Sequence, residues 1–173
     1  MASVLRRHFS VWAATALVGL SASAWADALP APKGKVILSV SGLIAHTNAP
    51  DVAKFDLASL KALPQTSFST MTPWAPKPVR FTGPLLRDVL KAVGANGTQL
   101  QAVALNDYKI TIPVSDTEQF NVVLAHQMDG KPIPVREKGP LFIIYPFDEK
   151  PELATKTYYE RAIWQLKSLV VQP

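Results

Sequence analysis

Cysteine is absent from all 173 residues. That excludes thiolate nucleophiles, iron–sulfur clusters, thiolate-bound metals and redox dithiols. It also excludes disulfides, so stability has to come from burial. The chain has no Gly-x-Ser-x-Gly elbow and no glycine-rich phosphate loop, the usual parts of acyl and phosphoryl transfer. Histidine is scarce: beyond the N-terminal region only His46 and His126 remain, far apart and in no His-x-x-x-His pair. A histidine-built metal site therefore has no signature here. No basic cluster interleaves with aromatics, so nothing asks for nucleic acid. Internal repeats and low-complexity blocks are also missing.

What is present begins with an export pattern. Arg6 and Arg7 form a positive start, Val11 to Leu20 an apolar stretch, and Ala24-Trp25-Ala26 a small-x-small cleavage site. The apolar stretch is shorter than the about 20 residues a spanning helix requires. Residues 1–26 thus read as a signal peptide cleaved after Ala26, which places the protein in the periplasm with no transmembrane segment afterwards. Arg6-Arg7-His8-Phe9 also partly matches a twin-arginine signal, leaving both export routes open. Cleavage reduces 18 basic residues to 16 against 13 acids, so the net charge falls from +5 to +3. Such modest basicity suits a small anionic ligand. Residues 27–35 read as a flexible leader, and 36–173 as one domain large enough to hold a core.

Along that domain, Val36 to Gly42 reads as a strand. Phe55 to Leu63 suits a short helix capped by Asp56, with Leu57, Leu60 and Leu63 on one stripe. Gln65 to Thr72 should be extended. Pro73-Trp-Ala-Pro-Lys-Pro78 should be a rigid loop, because three prolines remove backbone donors, and Trp74 in it has a packing or a binding role. Val79 to Thr82 returns to strand. Gly83-Pro84 opens a helix with Leu85, Leu86, Val89, Leu90 and Val93 on one face, ended by Gly94. Gln101 to Leu105 and Tyr108 to Ile112 form a hairpin across Asn106-Asp107. Ser115 caps a short helix through Phe120, Asp129-Gly130 marks a turn, and Leu141 to Tyr145 is an apolar strand. Asp148, Glu149 and Glu152 with Lys150 read as a solvated acidic loop. Tyr158 to Leu166 is open between helix and strand, with a closing strand favoured through Val171. These elements indicate an α+β domain with a mixed β-sheet and short helices.

Four segments occur in a telling order: Phe81-Thr-Gly-Pro-Leu-Leu-Arg-Asp-Val-Leu90, Asp107-Tyr-Lys-Ile-Thr-Ile-Pro113, Leu124-Ala-His-Gln-Met-Asp-Gly130 and Gly139-Pro-Leu-Phe-Ile-Ile-Tyr-Pro146. This order resembles the oxidoreductase molybdopterin-binding domain of the sulfite oxidase family, over roughly Val36 to Val171. The resemblance implies a sulfite-oxidase-like molybdopterin-binding fold and makes molybdopterin the possible cofactor. In that family a cysteine thiolate holds the molybdenum, on the strand that here reads Thr66-Ser-Phe-Ser-Thr-Met-Thr72. Thr70 or a neighbour stands near the missing ligand, and a hydroxyl is a poor replacement for a soft thiolate.

The same resemblance places Tyr108 at the substrate pocket, with an amphipathic hairpin tyrosine as the alternative. It puts Arg136 in a loop able to face an anionic group, with a solvated turn charge as the alternative. Trp164 stands where relatives carry a phosphate-binding lysine. His126 is either a pocket residue or a packed, hydrogen-bonded imidazole. Thr70, Trp74, Tyr108, His126 and Arg136 are the candidate pocket residues. Neither a catalytic residue nor a metal ligand is expected, and no cofactor is expected to be retained. The favoured expectation is a periplasmic, non-catalytic small-ligand binder reporting to a membrane sensor. The alternatives are a molybdopterin oxidoreductase, or subunit of one, with a non-cysteine ligand, and an interaction module contacting partners through Trp74.

Overall fold

The computed structural model describes residues 29–173; the expected signal peptide and its cleavage point lie outside the described residues. In β1 (Val36–Gly42), Leu38 and Val40 are buried and alternate with more open neighbours, the period-two pattern of a strand with one face on a core. A strand not expected from the sequence, β2 (Val52–Asp56), pairs antiparallel with β1. Helix α1 (Leu57–Ala62) follows directly. Asp56 caps it as anticipated, in a reciprocal capping box with Ser59. The same carboxylate accepts the backbone N–H groups of Lys33 and Gly34 at 2.9 and 2.7 Å, which ties part of the expected leader to the domain. These bonds hold the Asp56 carboxyl far below the ordinary range.

Strands β3 (Gln65–Thr72) and β4 (Ala75–Pro84) form a tight hairpin. The expected proline loop is thus confined to its turn, and Pro76 and Pro78 lie within β4. They are tolerated because the ladder is irregular between Thr70 and Thr72, and β4 meets its other neighbour only at Phe81 and Thr82. Helix α2 (Leu86–Ala92) buries Leu86, Val89 and Leu90, and Gly94 beyond it takes the left-handed conformation at φ 60°. Strands β5 (Gln99–Ala104) and β6 (Lys109–Pro113) make the expected hairpin. Helix α3 (Val114–Gln119) has Pro113 at its N-cap and no side-chain cap, so Ser115 is not the capping residue. Short strands β7 (Val123–Ala125), β8 (Gln127–Met128), β9 (Lys131–Pro132) and β10 (Phe142–Ile144) follow. Tyr158 falls in helix α4 (Lys156–Arg161), and the closing strand β11 spans Leu166–Gln172.

Among the described residues the strands form three sheets: a five-stranded β2-β1-β11-β5-β6, a four-stranded β3-β4-β8-β9 and the pair β10-β7. Only β1–β11 is parallel, so the large sheet is mixed, as expected for the α+β reading. Phe55, Phe81, Phe142 and Tyr145 are among the largest fully buried side chains.

The Phe-x-Gly-x-x-Leu pattern has a physical cause. Phe81 and Leu86 are buried, while a Cβ on Gly83 would run into the carbonyl oxygen of Leu124. Only a glycine lets β4 lie this close to β7. Gly83→Ala should therefore cost about 1–3 kcal/mol through overpacking, seen as a lower urea midpoint at unchanged m-value.

Candidate functional site

Three segments converge on a cavity of 580 Å³. The β3–β4 turn supplies Trp74, the β5–β6 hairpin supplies Asn106 and Tyr108, and α4 with its exit supplies Lys156, Tyr159, Glu160 and Trp164. The hairpin is shaped by its polar residues. Asp107 adopts φ 64°, a conformation aspartate tolerates, and the Asn106 side chain accepts the Tyr108 N–H at 3.2 Å. Lys167 bonds Asp107 at 2.6 Å and lowers its pKa. Tyr108 is left 48% exposed at the cavity wall.

Trp74 is half-buried. Its ring lies between 5.3 and 6.4 Å from Phe142, Phe147, Tyr159 and Trp164, centroid to centroid. It is the hub of an aromatic cluster rather than a free contact at a loop tip. A second cavity of 270 Å³ lies beside it, reached by Thr72, Glu137, Lys138 and Phe142.

Helix α4 does not stand on its own propensities. It has no side-chain N-cap and buries no residue. Its Lys156–Glu160 pair at 3.6 Å is exposed and of the weaker i,i+4 order. Tertiary contacts hold it instead. Arg161 donates to Asp116 Oδ2 at 2.9 Å, and the Tyr145 hydroxyl donates to the same oxygen at 2.8 Å. Burial, then the neighbouring Asp116 carboxylate, drives the Tyr145 pKa strongly upward, so its hydroxyl stays a donor. Tyr158 packs edge-on to Phe120, and Tyr159 to Phe147.

The five candidate residues do not share one site. Trp74 and Tyr108 line the larger cavity. Thr70 is fully buried: its hydroxyl accepts the Asp148 N–H at 3.1 Å and donates to the Met71 carbonyl. Asp148 in turn accepts the Met71 N–H at 2.7 Å. The expected solvated acidic loop therefore clamps β3, and the Thr70 hydroxyl is consumed by the fold. Arg136 is exposed in a turn closed by Pro134 and lines neither cavity. Lys156, Tyr159, Glu160 and Trp164 complete the site. Sequence patterning passed over Tyr159 and Glu160 because their segment was open between helix and strand.

His126 is buried and lines neither cavity. Gln65 donates its amide hydrogens to the Leu60 and Leu63 carbonyls. Its oxygen is thereby turned to His126 Nε2 at 2.9 Å, which makes Nε2 the donor and leaves Nδ1 without a partner. Burial, reinforced by the Lys61 charge, lowers the imidazole pKa. The unfolded chain then takes up this proton first, so its contribution to stability is lost as pH falls below about 6.5 and levels off under the lowered folded value. Urea titrations at pH 7.5 and 5 should show a stability loss that His126→Asn reduces.

The site does not fit a thiolate-held molybdenum. No cysteine exists to ligate it, the Thr70 hydroxyl is spent on the clamp, and Thr72 brings only a hydroxyl to the smaller cavity. Among the described residues no cluster of three His, Asp or Glu side chains offers another metal site.

Comparison with protein families matches residues 33–147 to a model described as the oxidoreductase molybdopterin binding domain, more than half of the chain. Comparison with curated proteins finds no match. The matched stretch ends before α4 and β11, so one whole wall of the larger cavity lies beyond it.

Proposed function

The chain belongs to the oxidoreductase molybdopterin-binding domain family, and from that membership we propose that it is a non-catalytic, ligand-binding member acting in the periplasm. One contrast carries this reading. The strand expected to present the metal ligand spends its Thr70 hydroxyl on Asp148, while an aromatic cavity of 580 Å³ opens at Trp74 in the turn that follows the strand. A cavity of that size with a few polar groups at its edge is of the kind that takes a small molecule. Family membership does not fix activity, which depends on the site. Export follows from the signal-like residues 1–26, and among the described residues no helix is long and apolar enough to cross a membrane.

Mass analysis of the protein isolated from its own periplasm tests the reading. A form beginning at Asp27 and carrying a molybdenum-free small molecule is expected. Stoichiometric molybdopterin would overturn it.

A further inference from the structure

The walls of the larger cavity restrict what it can hold. Trp74 meets Trp164 at 5.3 Å with an interplanar angle of 82°, and Tyr159 at 6.2 Å with 76°. Nearly perpendicular rings make the corner of a box. Trp164 and Tyr159 thus stand as two walls set across Trp74. A box corner suits a compact, rounded group that presents partial positive charge to several ring faces.

The charge pattern agrees. Glu160 lines the cavity with its side chain 51% exposed, and its partner Lys156 is 90% exposed at a loose 3.6 Å. An incoming cation can therefore take Glu160 while Lys156 turns to solvent. Trp164 already accepts a cation from outside this lining, with Lys138 Nζ 5.1 Å from its ring centroid. Besides Glu160 the lining offers the Asn106 oxygen, which already accepts the Tyr108 N–H, and two tyrosine hydroxyls; a primary ammonium has three donors to satisfy and would need such acceptors to converge on one point. A quaternary ammonium has no N–H donors to satisfy and spreads its charge over its methyl groups.

We propose that this cavity binds a compact quaternary ammonium ion of the choline type, with Trp74, Tyr159 and Trp164 as its aromatic walls and Glu160 as its counter-charge. The proposal rests on the ligand-binding reading and gives it a ligand class. It reverses the expectation of an anionic ligand drawn from net charge, because the cavity carries one acid and one base rather than a basic surplus.

The test is calorimetric and fluorescence titration of the signal-free chain with choline, with the neutral dimethylbutanol of the same shape, and with a free pterin. Choline should bind about tenfold tighter than the neutral isostere, and Trp164→Ala should weaken it about tenfold. Glu160→Gln should weaken it about fivefold, and Lys156→Gln should strengthen it, both effects shrinking in high salt. Both charged residues are exposed, so these variants keep the fold. If pterin or the neutral isostere binds as well as choline or better, the ligand class is overturned while the ligand-binding reading stands. If all three probes fail to bind, the ligand class is overturned, and a periplasmic isolate with no co-purifying molecule overturns the ligand-binding reading as well.

Discussion

Asp116→Ala should lower stability by about 3 kcal/mol, the low end of the range for removing one partner of a buried ion pair. Asp116 is 4% exposed and is the shared acceptor for Arg161 and Tyr145. Removing it leaves a guanidinium and a phenol facing a vacated site. The Arg161 side chain is 21% exposed and recovers some hydration, which keeps the loss from the upper end. The melting temperature of a chain this size should fall by roughly 10 °C. Asp116→Asn, which retains an acceptor oxygen, should lose less, and Arg161→Met on the alanine background should restore part of the loss by removing the stranded charge. Because this pair ties α4 to the body, the alanine variant should also bind its ligand more weakly. A melting temperature unchanged in Asp116→Ala would mean that α4 is held by its tyrosines alone.

Trp74→Ala should have an effect of similar size by a different cause. The ring meets four aromatic neighbours, and truncating a packed tryptophan costs about 3–5 kcal/mol. Trp74 is half-buried, so about 3 kcal/mol is expected, together with loss of the shared wall between the two cavities. Trp74→Phe should retain most of the stability, since offset and edge contacts survive in a smaller ring. Denaturant midpoints of the three proteins measure this. If Trp74→Ala were as stable as the parent chain, the residue would be a surface contact for a partner and not a packing hub.

The sequence carried the fold where local pattern and tertiary need coincide. The Phe81 to Leu90 segment was legible because a buried Phe81, a glycine forced by close strand approach and one apolar helix face all leave marks in the residue types. The β5–β6 hairpin was legible from alternation and its Asn-Asp turn. Strand β2 was not, since it is short and runs straight into the capped helix α1. Helix α4 was obscured for another reason: it buries none of its residues and depends on Asp116, 45 positions away.

The site was legible only in part on the same grounds. Trp74 could be named from its proline-rich turn, and Tyr108 from the family resemblance of the Asp107 to Pro113 segment. Thr70 appeared available because nothing local reveals that Asp148, 78 positions later, claims its hydroxyl. Lys156 and Glu160 are marked by no local pattern, and only the fold sets them beside two tryptophans.

The central claim is that this family member has kept the scaffold and lost the metal site. The most direct test is elemental analysis for molybdenum, with pterin fluorescence, on the intact protein purified from a host that makes the cofactor. The account predicts molybdenum far below stoichiometric and no pterin signal. Stoichiometric molybdenum with a matching pterin content would contradict it.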